Sequence, residues 1–108
     1  MLKDFQIKGL EKIVNSSSIK EIYPMVDHID IRYNSDLYNP RGWGGLEVDI
    51  FVNDPTITKE NMYDKEFDPH YLVDYHIKQY FPYFNINKPI TSFVVWDLDG
   101  NIITSFED

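Results

Sequence analysis

A chain of 108 residues suits one domain with a single core, and its 18 acidic against 10 basic residues give it a net charge of −8. With no Lys/Arg cluster, binding to a phosphate backbone is not expected, so nucleic acid is excluded on that route and a protein partner of basic character fits better. The absence of cysteine excludes a disulfide framework and any Cys-ligated zinc.

Residues 3–15 place Ile7, Leu10, Ile13 and Val14 on one side at helical spacing, with Gly9 weakening the helix and Phe5 off the stripe. Ser16, Ser17 and Ser18 break it. Ser18 with Glu21 three residues on has the form of a capping box, opening a short helical turn that Pro24 closes. From His28 the period falls to two, with Ile29, Ile31 and Tyr33 alternating with His28, Asp30 and Arg32. The same alternation returns in Leu46, Val48, Ile50 and Val52 against Glu47, Asp49 and Phe51, so two strands are predicted, each with an apolar and a largely charged face. If they pair antiparallel, three carboxylates surround Arg32 on the charged face, and screening by water is the expected outcome.

The connection from Asn34 to Gly44 is too long for a tight turn and carries Tyr38, Arg41 and Trp43 among turn-forming Asn39, Pro40, Gly42 and Gly44. Long loops of this kind are more often functional or mobile than decorative, and this one is read as a contact surface, with Trp43 and Tyr38 folding back over a sheet edge as the alternative. Asn53 to Lys65 is polar and turn-rich.

Glu66 to Phe84, EFDPHYLVDYHIKQYFPYF, is the strongest helix signal. Asp68 and Pro69 form a start, and Pro82 is expected to end the helix by biasing Phe81 away from helical angles. Leu72, Val73, His76, Ile77, Tyr80 and Phe81 make the core face, with Asp74, Lys78 and Gln79 opposite. His76 is read as a hydrogen-bonded core residue, and His70 with Asp74 as a pair on the helix surface. Tyr71 and Tyr75, spaced i, i+4, stack on the side that should be wet. Finally Phe93 to Phe106 reads as a hairpin turning at Asp99-Gly100 as a two-residue turn, with Phe93 to Leu98 central in the sheet because it is apolar on both faces. The predicted class is α+β, in the order α, short α, β, β, α, β, β, with a small four-stranded, mostly antiparallel sheet covered by helices.

Three motifs invite chemistry. VVWDLDGNIITS resembles the first motif of the haloacid dehalogenase superfamily, which would make Asp97 a nucleophile and Asp99 an acid/base; only nine residues follow Asp99, where that family carries its remaining motifs, and a plain hairpin turn is preferred. DLDGN also opens like an EF-hand loop, but Ile102 and Asp108 stand where glycine and a bidentate glutamate are needed. The layout of HIDIRYNS, LEVDIFV, the Asp68 helix and VVWDL resembles a minimal nucleotidyltransferase, which would place Glu47, Asp49 and Asp97 around Mg²⁺ with Ser35 at the phosphate turn. In departure from that family, Asn34 replaces a glycine and Glu47 an aspartate.

The preferred reading is a non-catalytic, acidic protein-protein interaction or assembly module, with Tyr38, Arg41, Trp43, Tyr71 and Tyr75 as partner-binding residues and a homodimer as the expected assembly. No cofactor or metal is expected in it. The divergent nucleotidyltransferase is the alternative. The N-terminal MLKDFQIKGL lacks the apolar run of a signal peptide and no window reaches membrane-spanning length, so an intracellular or virion location is expected. A composition without alanine and rich in Asn, Ile, Tyr, Asp and Lys is the bias of AT-rich coding, common in small phage and viral proteins.

Overall fold

The computed structural model describes residues 2–34, 45–87 and 89–107. Helix α1 (Asp4–Ser16) and the short α2 (Ile19–Ile22) precede strands β1 (Val26–Asn34) and β2 (Gly45–Val52). Three consecutive helical segments follow, α3 (Pro69–Tyr71), a π-helical stretch (Leu72–Ile77) and a 3₁₀ stretch (Lys78–Phe84), and strands β3 (Ile90–Trp96) and β4 (Ile102–Glu107) complete the order. The fold is α+β, with a four-stranded sheet in the order β1-β2-β3-β4.

Two of the three strand pairings are antiparallel, β1 with β2 and β3 with β4. The central pairing of β2 with β3 is parallel. A parallel neighbour cannot be reached by a tight turn, so the helical segments between the two strands serve as the crossover. β3 is thereby central, as its doubly apolar sequence predicts.

One face of the sheet carries the core. Leu46, Val48, Ile50, Val52, Phe93 and Val95 are buried there against Ile7, Leu10 and Val14 of α1 and Leu72, Val73, Ile77 and Phe81 of the crossover. Each buried side chain of this kind contributes roughly 1.5–3 kcal/mol of transfer free energy. Gly9 lets α1 approach the crossover closely, because a Cβ there would stand 2.6 Å from Cε1 of Phe84.

The start of the crossover is as predicted, with the Asp68 side chain accepting from the Tyr71 N–H at 3.0 Å and Pro69 in the first turn. Its interior differs from a plain α-helix. The apolar pairs 72/73, 76/77 and 80/81 recur every four residues, and in a turn of about 3.6 residues each pair would advance by about 40°. The wider i→i+5 turns of the π segment offset that drift and keep Leu72, Val73, His76 and Ile77 all buried.

Pro82 does not end the helix. It lies inside the 3₁₀ segment, which continues to Phe84 because proline's fixed φ is compatible with a helical turn and only one backbone donor is lost. The stop is Asn85, left-handed at φ 55°, with Asn85 N–H bonding to Pro82 C=O and Ile86 N–H to Phe81 C=O. This paired closure satisfies the last carbonyls, and Ile86 and Phe81 are both buried beside it.

Two smaller expectations are also corrected. Ser18 stands at the start of α2 without making a side-chain cap; the Ser17 hydroxyl accepts from Ile19 N–H instead, at 3.3 Å. The β3–β4 hairpin uses a longer loop than Asp99-Gly100 alone, with Asp97 N–H bonding to Asn101 C=O, Gly100 N–H to Asp97 C=O, and only Gly100 at positive φ, 88°. A turn closing onto a left-handed glycine is the usual three-residue hairpin solution.

Candidate functional site

Strand alternation turns His28, Asp30, Arg32, Glu47, Asp49 and Phe51 to the face away from the helices. The antiparallel register sets His28 opposite Phe51, Asp30 opposite Asp49 and Arg32 opposite Glu47. The parallel register of the next pair adds Trp96 beside Phe51 and Val94 beside Asp49. Nothing in the local sequence announces that neighbour, since it depends on which residue of a distant strand lies alongside.

Of the three carboxylates Asp30 is exposed, but water does not screen Glu47 and Asp49. Glu47 and Asp49 are only 8% and 7% exposed. Arg32 bonds Glu47 through Nε to Oε2 at 2.9 Å and through Nη2 to the same oxygen, and its Nε lies 3.5 Å from Asp49 Oδ2. The Trp96 indole N–H donates to Asp49 Oδ1 at 3.0 Å. Burial pushes the Asp49 carboxyl up to about 6, with the charge of Glu47 adding to it and the Trp96 bond pulling the other way. Burial acts upward on Glu47 as well, but the hydrogen bond and charge of Arg32 outweigh it and hold that carboxyl below its ordinary value.

Beside this cluster, further along the same face, the rings of His28, Phe51 and Trp96 form a row across three strands. His28 and Phe51 have centroids 4.4 Å apart at 8°, and Phe51 and Trp96 6.2 Å apart at 13°. The first pair is closely stacked and the second is parallel but offset, an arrangement aromatic rings favour. His28 also bonds Asp27 Oδ2 through Nδ1 at 2.7 Å. A carboxyl that titrates near neutrality suits proton transfer only when it can reach a reacting group. Asp49 has both oxygens turned to its own neighbours, so its geometry is that of an internal cross-strand tie.

Asp97, the third carboxylate of the metal alternative, does not join Glu47 and Asp49. Its side chain accepts from Asp99 N–H at 2.9 Å, Asn101 N–H at 2.8 Å and Asn101 Nδ2 at 3.1 Å. These bonds from Asn101 and the turn backbone hold the Asp97 carboxyl below the usual aspartate range. Among the described residues no three His, Asp or Glu side chains are grouped to hold a metal. Ser35 and the loop residues Tyr38, Arg41 and Trp43 lie outside the described residues.

The second surface is on the crossover. Tyr71 and Tyr75 stack at 5.1 Å with 6° between their planes, 50% and 56% exposed. His76 is buried beneath them and meets both rings edge-on, at 5.4 and 5.0 Å, and Tyr23 at 6.0 Å. Its packing is against tyrosine rings, and burial lowers its pKa, favouring the neutral imidazole. His70 is not a surface partner of Asp74: its ring packs edgewise on Phe93 and Phe106, at 5.0 and 4.1 Å, while Asp74 pairs with Lys78 at 2.9 Å. The i, i+4 spacing made the tyrosine stack legible in the sequence, whereas the histidine supporting it depends on the tertiary packing. No helix among the described residues is long and apolar enough to cross a membrane. No family model, curated protein or solved structure matches this chain.

Proposed function

We propose that this protein is a non-catalytic interaction module that associates with a second copy of itself through Tyr71 and Tyr75. The observation carrying this reading is the stacked, half-exposed tyrosine pair held from below by buried His76. Tyrosine suits such a contact because the ring can be dried while the hydroxyl stays wet. Rings already fixed against each other and against His76 lose little side-chain freedom on docking, so more of the buried area contributes to affinity. Asp74 and Lys78 are paired within one chain, which leaves the contact to the rings and not to an exchange of that ion pair between copies.

Closed twofold dimers bury the same patch on both partners and are the commonest assembly of this kind. Sedimentation of the wild type should show a dimer at high micromolar concentration, and the double variant Tyr71→Ser, Tyr75→Ser should sediment as a monomer with its circular dichroism retained. A monomeric wild type under those conditions overturns the proposal, as does a double variant that remains dimeric.

A further inference from the structure

The turn between β3 and β4 is held unevenly. Asp97 fixes its ends, because its side chain accepts from Asp99 N–H, Asn101 N–H and Asn101 Nδ2 while its own N–H bonds to Asn101 C=O at 2.9 Å. The peptide unit joining Asp99 to Gly100 has much less. Its N–H reaches Asp97 C=O at 3.4 Å, longer than an ordinary N–H···O bond, and among the described residues the Asp99 carboxylate has no hydrogen-bond or ion-pair partner. Both residues are exposed. A Cβ built on Gly100 would meet nothing within 4 Å, and a glycine at φ 88° passes to other backbone angles at little cost, so this unit can turn without collision.

An aspartate in such a place has a reaction with its own backbone. The Gly100 nitrogen attacks Asp99 Cγ, and as the new C–N bond forms a carboxyl C–O bond breaks, the oxygen leaving as water with the carboxyl proton and the proton of the Gly100 N–H. The product is a five-membered succinimide. Water then adds to the ring's main-chain carbonyl and the bond from that carbon to the Gly100 nitrogen breaks, which leaves Gly100 attached through Cγ and a new carboxylate where the peptide carbonyl stood. Mass and charge return to their starting values, and no oxidant or cofactor enters. The other aspartates are placed against this reaction. Asp54 and Asp68 precede prolines, which have no N–H to lose; Asp97 is occupied by the bonds of the turn and precedes Leu98; Asp30 and Asp49 lie within paired strands.

We propose that Asp99-Gly100 is a site of spontaneous isomerisation to isoaspartate in the folded protein. The conversion inserts one extra carbon into the main chain of a loop whose ends Asp97 and Asn101 hold together. The bonds of the turn loosen, while β3 and β4 stay paired from Trp96 and Ile102 inward. Nothing in this depends on the tyrosine contact.

The test incubates the full chain in mildly acidic buffer, folded and, in parallel, unfolded in guanidinium chloride. Peptides are then mapped by mass spectrometry after labelling with an isoaspartyl methyltransferase, which transfers a methyl group from S-adenosylmethionine to the isoaspartyl carboxylate. Label should accumulate at residue 99 of the folded chain at a rate comparable with the unfolded one, and not at Asp54, Asp68 or Asp97. Asp99→Glu keeps the charge and the glycine but would need a six-membered ring, so it should lose the label. In the aged wild type, amide exchange at Gly100 and Asn101 should quicken while exchange at Val95 is unchanged. A folded chain without label at residue 99 overturns the proposal, whether or not the unfolded chain gains it, and so does label spread over several aspartates of the folded chain.

Discussion

The sheet consists of two antiparallel pairs joined along one parallel seam, and the pairs solve the edge problem in opposite ways. α1 packs on β1, and its Asn15 and Glu11 occupy the outward N–H and C=O of Ile29 and the N–H of Ile31. β3 and β4 are joined by a turn that consumes Asp97 internally, and the outer side of β4 has no comparable side-chain cover among the described residues. A closed edge needs a helix held in register, so its integrity depends on core packing elsewhere, whereas the β4 edge carries no such dependence among the described residues. The seam is where the two pairs meet, and Trp96 of one pair bonds Asp49 of the other.

The comparison can be broken most strongly at Leu10, fully buried where α1 joins the core. Leu10→Ala should cost about 3 kcal/mol through lost transfer energy and the cavity left behind. Because α1 carries the caps of β1, amide exchange at Ile29 and Ile31 should quicken more than exchange in β4. Equal quickening in both edges would show that α1 is not what closes β1.

The seam should respond to pH. Asp49 is raised to about 6 in the fold from an ordinary 3.8, so the protonated form is favoured by folding. The stabilisation is full below the ordinary value and is lost as pH rises through the folded one. Glu47, lowered by Arg32, works oppositely, and its contribution is lost only as pH falls through a value below 4.5. Between about pH 4.5 and pH 6.5 wild-type stability should therefore fall by about 2 kcal/mol on account of Asp49. Asp49→Asn keeps an acceptor for Trp96 and should flatten this slope; denaturant midpoints across the range would measure it. An unchanged slope would place the titration elsewhere.

A smaller effect is expected at the cap itself. Asn15→Ala leaves the outward N–H and C=O of Ile29 without their partner, and should destabilise by roughly 1–2 kcal/mol in chemical denaturation. Smallest of all is Glu11→Gln, which retains an oxygen for Ile31 N–H and should shift stability by less than about 0.5 kcal/mol. If Glu11→Gln proved as damaging as Asn15→Ala, the charge and not the hydrogen bond would be the closing device.

Much of this architecture was readable in the residues because it depends on short-range periodicity. The alternation of β1 and β2, the apolar stripe of α1 and the Asp68-Pro69 start each record how a segment divides itself between core and water. The Tyr71–Tyr75 stack was legible for the same reason, being set by one helical turn. Pro82 misled because its local effect is small beside the closure made by Asn85 and Ile86, residues outside the apolar pattern.

What only the tertiary structure decided was which distant residues share a neighbourhood. The sequence determined that Glu47 and Asp49 lie on one face of a strand with Arg32 across from them, since period and antiparallel pairing suffice for that. The Trp96 bond and the place of Trp96 beside Phe51 follow from the parallel register of β2 with β3, and the separation of Asp97 from both carboxylates follows from the hairpin turn that binds its side chain. That register is set by a crossover helix packing in three dimensions, through contacts between segments far apart in the chain, and no local repeat of residues encodes it.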